Sequence, residues 1–192
     1  MAMDRDKVPG AAAATFPGRF TAATQEFERR LEAEPGVTGV TVASVLPLMD
    51  HPTRQIEVDE GSAALANPNV GRRWVSSASV ALDFFDVLDA PILSGRAFHS
   101  GDLLPGARTV IVNQSFAQVV LGGNNPIGRR LRYTGDAQQS EKEPWYEIVG
   151  VVRDFGIDPE DRDPRRDSRR ARIYHPLVPG GSYPVRMAVH TA

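Results

Sequence analysis

The sequence predicts an α+β fold in which mixed sheets are combined with a few helices. Short apolar or alternating runs rich in valine and isoleucine recur between turn residues, which is typical of strands. Three segments instead repeat apolar residues at helical spacing. These segments do not alternate regularly with the strands, so a doubly wound parallel sheet is not expected.

The three helices are predicted from their apolar stripes and from capping residues. The residues expected to face the core are Phe20, Ala23, Phe27 and Leu31 in the first helix, Leu82, Phe85 and Leu88 in the second, and Phe116, Val119 and Val120 in the third. The expected N-caps are Thr21, Ser79 and Asn113. The expected ends are Pro35-Gly36, Pro91, and Gly122 or Gly123.

Eight strands are predicted from their β-branched or alternating residues. They lie in "VTGVTVASVLPL", "RQIEVDE", "VGRRWVSSASV", "TVIV", the stretch with Ile127, Leu131 and Tyr133 on one face, "WYEIVGVVRDF", "RIYHPL" and "YPVRMAVHT". The segment "WYEIVGVVRDF" carries apolar residues on both faces, as a central strand requires.

The glycine-rich stretch "LGGNNPIGRRLRY" has two possible interpretations, a phosphate-binding loop and a tight turn. A phosphate loop needs a strand, then glycines, then a helix N-terminus whose N–H groups face the anion. Here the glycines follow a predicted helix and precede a predicted strand, and the P-loop lysine is missing. The order therefore predicts a turn.

The chain is expected to hold one core domain at residues 16–192, after a linker or cloning scar at residues 1–15. Polar loops are predicted at residues 61–69 and 135–142, and an arginine-rich loop follows the central strand at residues 160–172. The first loop would allow two lobes, a porter-like lobe and a smaller inserted lobe around residues 50–140. The abrupt ends suggest that the native chain continues.

Composition removes several classes of function. The 192 residues carry a formal net charge of −2, so no overall field attracts nucleic acid or an anionic membrane. Cysteine is absent, which excludes disulfides and cysteine-ligated zinc. No apolar run reaches the roughly 20 residues that span a bilayer, and the N-terminus lacks a signal-peptide core. If the protein works outside the cytoplasm, its membrane segments are expected beyond these residues.

No catalytic, cofactor or metal site is predicted. The four histidines, at 51, 99, 175 and 190, lack metal-ligand spacing, and His51 is expected to be solvated. No G-x-S-x-G elbow is present, and the serines of "SSAS" at residues 76–79 need only structural roles. Asp83 and Asp86 are expected on a solvated helix face. Trp74 and Trp145 are expected in the core or between lobes, and the arginine-rich loop in solvent.

Five motifs in order resemble the MacB-like periplasmic core domain of FtsX/MacB-type ABC transporter permeases. The clearest is a "G-R-x-F-x-x-x-D" turn made of Gly95, Arg96, Phe98 and Asp102. "TVIVNQSFAQVVLGGNNPIG" resembles the family's "V-I-N-E-x-x-A" helix and "P-I-G" turn, with Gln114 in place of the usual acid. The others are "WYEIVGVVRDF", "ARIYHPL" and "PGVTGVTVASVLPL".

This resemblance implies an extracytoplasmic, non-catalytic domain of an inner-membrane permease, without cofactors. It implies mechanotransmission, in which cytoplasmic ATP hydrolysis is coupled to export or efflux outside the cytoplasm. The implied partners are the membrane-embedded remainder of the permease and, indirectly, a cytoplasmic ABC ATPase; a membrane-fusion protein, a lipoprotein, a peptide cargo and a second copy in a homodimer are left open. Gly95, Arg96, Pro126 and Gly128 would be structural corners.

Two other classes stay open on the residues alone. A free-standing periplasmic ligand-binding or sensor domain would have a small-molecule pocket beside Trp74 or Trp145. A hydrolase would need one of the histidines within hydrogen-bond reach of a serine or an acid. Nucleic-acid binding is not expected, because stacking aromatics at readable spacing are absent.

Overall fold

A computed structural model describes residues 16–59, 73–134, 143–156 and 170–192. The α-helices of these ranges are α1 (Phe16–Glu32), α2 (Phe84–Val87) and α3 (Gln114–Val119), with a 3-10 turn at Ser100–Leu103. The strands of these ranges are β1 (Val37–Ala43), β2 (Thr53–Val58), β3 (Arg73–Val80), β4 (Ile92–Gly95), β5 (Thr109–Asn113), β6 (Arg130–Thr134), β7 (Tyr146–Val152), β8 (Arg172–Pro176) and β9 (Arg186–Thr191). The predicted α+β class with mixed sheets and a few helices is confirmed.

All nine strands of the described residues belong to one mixed sheet. The pairings run from β2 through β6, β7, β5, β8 and β3, and β3 also pairs with β2, so these strands form a closed ring. The pairs β3–β8 and β5–β7 are parallel, and the other pairs are antiparallel. β1 extends the sheet from β3, and β9 pairs with the far side of β1. β4, which the sequence did not predict as a strand, pairs with β7.

Two apolar cores lie on opposite faces of the ring strands. The inner core consists of Ile56, Val58, Val75, Val110, Val112, Phe116, Leu121, Leu131, Tyr133, Ile148, Val151, Ala171 and Ile173. The outer core consists of Ala43, Ala78, Val80, Phe84, Phe85, Ala90, Phe98, Ile111, Val149, Val152 and Tyr174. β7 contributes to both, which confirms its prediction as a central strand and explains its apolar residues on both faces.

The helix boundaries differ from the prediction in two places. Thr21 does not cap α1, because the helix already begins at Phe16 and the Thr21 hydroxyl donates to the Pro17 carbonyl within it at 2.9 Å. Ser79 lies inside β3 and not at the start of α2. α2 is a single turn that buries Phe84 and Phe85, and the expected Leu82 and Leu88 lie just outside it, partly buried against the outer core. The stripe therefore faces the core as predicted, although the helix itself spans only Phe84–Val87.

Other predictions agree with the observed elements. Asn113 caps α3, and Gly122 and Gly123, with φ of 61° and 82°, follow the helix in the left-handed region. β6 then follows the glycines, so the order helix, glycines, strand confirms the turn. Strands inside residues 50–140 pair with β7 and β8 outside that range, and the inserted lobe remains a prediction.

No helix in the described ranges is both long enough and apolar enough to cross a membrane. The linker at residues 1–15, the loops at 61–69 and 135–142, and most of the arginine-rich loop lie outside the described residues.

Candidate functional site

The "G-R-x-F-x-x-x-D" motif forms a corner between β4 and β5 that is closed by an ion pair. Gly95 adopts a φ of +73°, and the next residue, Arg96, donates two hydrogen bonds to the Asp102 carboxylate at 2.7 and 2.9 Å. Asp102 is only 5% exposed and also accepts from the His99 N–H and the Thr109 hydroxyl. Burial raises the pKa of Asp102, but these hydrogen bonds outweigh it and bring the pKa well below its usual value. The carboxylate is thus fully engaged in holding the corner.

A second buried network surrounds Asn113, where β5 meets α3. The Asn113 side-chain oxygen accepts from Phe116 N–H at 3.0 Å and Arg172 N–H at 2.8 Å. Its nitrogen donates to Asp154 Oδ1 and to the Arg170 carbonyl, both at 2.7 Å. This one side chain therefore ties the start of α3 to the segments at the end of β7 and the start of β8.

Asp154, near the end of the motif "WYEIVGVVRDF", completes the network. It accepts from the Ser115 N–H at 2.9 Å and the Ser115 hydroxyl at 2.6 Å. The sequence predicted Asn113 only as a cap. The meeting of two motif residues, Asn113 and Asp154, was missed because they lie 41 positions apart.

The "P-I-G" turn is also a packed corner. Pro126 is buried, Gly128 has a φ of +80°, and the Gly128 N–H donates to the Ile148 carbonyl of β7 at 2.9 Å. The geometry at Gly95, Arg96, Pro126 and Gly128 supports the interpretation of all four as structural corners.

The four histidines lie apart from one another in different surroundings. The His99 ring accepts from the Gly101 N–H within the 3-10 turn, and its Nε2 lies 3.8 Å from Asp102. His190 is exposed on β9 and lies 3.8 Å from Asp89. Both distances exceed a hydrogen bond, so neither pair forms the base–acid contact that a hydrolase needs. Within the described ranges, no three histidine or acidic side chains are grouped as metal ligands would be.

His51 and His175 both lie in partly buried surroundings. His51 is half-buried beside the Leu46 carbonyl, so its prediction as a solvated residue is wrong; burial, then the charge of Arg172, lowers its pKa to about 4. The His175 ring packs edge-on against Tyr146, and its Nε2 lies 2.6 Å from the Tyr133 hydroxyl. Burial, then the charge of Arg54, lowers the pKa of His175 to about 4.

We expect the domain to lose stability as the pH falls from neutrality towards 4. An unfolded histidine titrates near pH 6.5, whereas His51 and His175 bind protons only near pH 4 when folded. The unfolded chain therefore binds more protons in this window, and the free energy of unfolding should fall by about 2 kcal/mol for each histidine. Urea unfolding measured across the window tests this.

His175→Phe should remove about half of that pH dependence, because the contribution of His51 remains. His190→Gln, at an exposed position, should leave it unchanged. A wild-type unfolding free energy that stays constant across the window would contradict the prediction.

The serines, the two aspartates and the arginine-rich loop named in the sequence analysis lie in different parts of the structure. Ser76 and Ser77 are buried in β3, and Asp83 and Asp86 are exposed as predicted, with Asp83 accepting a hydrogen bond from Thr41 at 2.7 Å. At the end of the arginine-rich loop, Arg172 lies in β8, is 7% exposed and donates to the Phe155 and Gly156 carbonyls, so the expected solvent exposure is wrong for this residue.

The two tryptophans lie on the outer surface of the ring. Trp74, expected in the core or between lobes, is 55% exposed and lies outside the core, because its position in β3 points away from the inner core that Val75 enters. Trp145 is half-buried under Arg132 and Arg130, whose guanidinium carbons lie 4.8 and 5.8 Å from its ring centre.

An apolar groove lies between α1 and the sheet, away from both tryptophans. Its volume is about 310 Å³. Residues of α1, β1, the segment before α2, the 3-10 turn and the stretch between β8 and β9 line it, among them Phe20, Val42, Leu82, Leu103, Leu177 and Val185. Sequence analysis did not find it, because its walls come from segments far apart in the chain.

The geometry defines an α+β domain whose motif residues hold turns and strand ends together, with one apolar groove as its candidate binding site. The sequence matches the family model of the MacB-like periplasmic core domain over residues 6–181. The chain therefore belongs to the family of MacB-like periplasmic core domains, which are extracytoplasmic parts of ABC transporter permeases. No curated protein matches the sequence.

Solved structures that superpose with TM-scores above 0.5 show the same fold at low sequence identity. The periplasmic region of MacB from Actinobacillus actinomycetemcomitans superposes with a TM-score of 0.52 at 13% identity, over 88% of this chain and 64% of that one. A domain of a putative permease protein from Porphyromonas gingivalis gives 0.54 at 14% identity, over 86% and 66%. The extracellular domain of the noncanonic ABC-type transporter YknZ from Gram-positive bacteria gives 0.47 at 17% identity, over 79% and 61%. The chain thus spans less than two thirds of the length of each structure.

Proposed function

We propose that this domain transmits movement between the membrane-embedded part of a permease and partners or cargo outside the cytoplasm, and that it catalyses no reaction itself. The observation that carries the proposal is the match to a family of transporter domains across residues 6–181. The ATP-driven movement would originate in a cytoplasmic ABC ATPase, and the cargo would leave by efflux or export.

The internal bonding of the domain supports this role. A part that is pushed at one end and acts at the other must move as a unit, because a soft domain would absorb the displacement. The Arg96–Asp102 pair joins the end of β4 to the 3-10 turn, and the Asn113–Asp154 contact joins the end of β5 to the segment after β7. Both contacts are buried or half-buried. Buried networks whose members are all bonded rigidify the fold around them.

The partners follow from the same proposal. They are the membrane-embedded remainder of the permease, the ATPase acting through it, and a membrane-fusion protein, lipoprotein, peptide cargo or second copy of the domain on the outer side.

Distance measurements on the full-length permease with its ATPase test the proposal. The 192 residues contain no cysteine, so labels can be placed singly at exposed positions such as Leu104 and Val119. We expect the distance between Val119→Cys and a label in the membrane-embedded part to change when ATP binds. The distance between Leu104→Cys and Val119→Cys within the domain should stay constant and serves as the control.

A constant distance to the membrane part, or a change confined to the pair within the domain, would contradict mechanotransmission by a rigid domain.

A second candidate, a free-standing periplasmic ligand-binding or sensor domain, is favoured by the groove beside α1. The flanking reading frame separates the two. The permease role requires a membrane helix shortly before residue 16 and three more after residue 192. A transcript encoding a stand-alone secreted chain would favour the second candidate.

A further inference from the structure

The groove beside α1 carries negative charge on a mostly apolar wall, to which Thr21, Thr24 and Gln25 add neutral polar groups. Glu28 of α1 and Asp83, just before α2, both line it. Among the described residues that line the groove, no lysine, arginine or histidine accompanies them. The groove is therefore apolar and anionic, a combination that favours a ligand with the opposite charge and an apolar body.

The electrostatics of Glu28 agree with this description. Burial, followed by the charges of Asp83 and Glu32, raises the pKa of the Glu28 carboxyl. A carboxylate that is partly desolvated near other carboxylates is stabilised by any cation that enters beside it.

The packing of α1 leaves room for such a ligand. Of the residues of α1, all of which the structure describes, only Phe16 is buried. Phe20 packs edge-on against Tyr183 at 5.1 Å and lines the groove. The Phe20 ring therefore supplies apolar surface for the body of a ligand in the groove.

We propose that this groove binds a hydrophobic cation, with an apolar body against Phe20 and Leu82 and an ammonium group beside Glu28 and Asp83. A volume of about 310 Å³ lies at the small end of the usual range for ligand sites, which suits a compact ligand with one ring. An anion of the same shape would be repelled by the two carboxylates, and a neutral analogue would gain only the apolar contacts. This site is independent of the transmission role proposed above.

Calorimetric titration of the chain with benzyltrimethylammonium tests the proposal, with benzyl alcohol as the neutral and phenylacetate as the anionic comparison. We expect the ammonium ion to bind at least about tenfold more tightly than either comparison. Glu28→Gln should lower the affinity for the ammonium ion about tenfold and leave the affinity for benzyl alcohol unchanged.

Glu26→Gln is the matched control on the same helix. Its carboxylate pairs with Arg29 and Arg30 and does not line the groove, so ammonium binding should be unchanged. Asp83→Asn supplies a second variant in case Glu28→Gln fails to fold. Absence of ammonium binding, equal affinity for phenylacetate, or equal losses in Glu28→Gln and Glu26→Gln would overturn the proposal. None of these results bears on the distance changes expected of the full-length permease.

Discussion

Replacing Gly95 by alanine is expected to destabilise the domain by about 3 to 5 kcal/mol, because it combines a backbone clash with an unfavourable conformation. A Cβ atom at Gly95 would lie 2.2 Å from the Val149 carbonyl oxygen and 2.7 Å from the Ile127 side chain. The φ of +73° adds the strain of the left-handed region. The clash cannot relax cheaply, since the contacting oxygen belongs to β7, which pairs with β4 at Gly95 and Gly150.

Gly106→Ala is the control for this variant. Gly106 has a similar φ of +89°, but a Cβ atom there would meet nothing within 4 Å. It should cost about 1 kcal/mol, the conformational part alone. Urea unfolding followed by tryptophan fluorescence measures both variants. Equal losses would show that the close approach of β4 to β7 does not constrain this corner.

Replacing Asn113 by alanine is expected to destabilise the domain by about 3 to 4 kcal/mol, because four hydrogen-bonding groups lose their partner at once. The Phe116 and Arg172 N–H groups lose an acceptor, and Asp154 and the Arg170 carbonyl lose a donor. Buried groups that are left unpaired keep their full desolvation cost. Asn113→Asp should also be destabilising, because it places a second carboxylate beside Asp154.

Asn124→Ala provides the matched comparison. Asn124 is exposed, and its side chain makes one hydrogen bond to the Leu121 carbonyl at 2.8 Å. Its loss should cost less than about 1 kcal/mol. If thermal and urea unfolding gave Asn113→Ala no larger loss than Asn124→Ala, the Asn113 network would not be a principal support of the fold.

Local patterns located the elements whose signals lie within a few residues. The alternation in "RQIEVDE" predicted β2, and its Ile56 and Val58 are buried as that pattern requires. The predicted cap at Asn113 and the glycines after α3 were also confirmed, because capping and left-handed turns depend on neighbouring backbone groups.

Patterns failed where packing across the chain decides burial. Trp74 was expected in the core or between lobes and Phe27 was expected to face the core, yet 55% and 54% of their surfaces are exposed. Conversely, His51 was expected in solvent and lies half-buried near Arg172, 121 positions along the chain. Hydrophobicity alone does not reveal which face of a strand or helix another element covers.

The amino-acid sequence by itself determined the α+β class, most strand positions, the turn after α3 and, through ordered motifs, the family. The tertiary structure alone decided that six strands close into a ring, that Asn113 meets Asp154, and that Glu28 and Asp83 share an apolar groove. The physical reason is the distance along the chain over which each interaction acts. Propensity, capping and periodicity act over a few residues, whereas ring closure and groove walls depend on contacts between segments that only folding brings together.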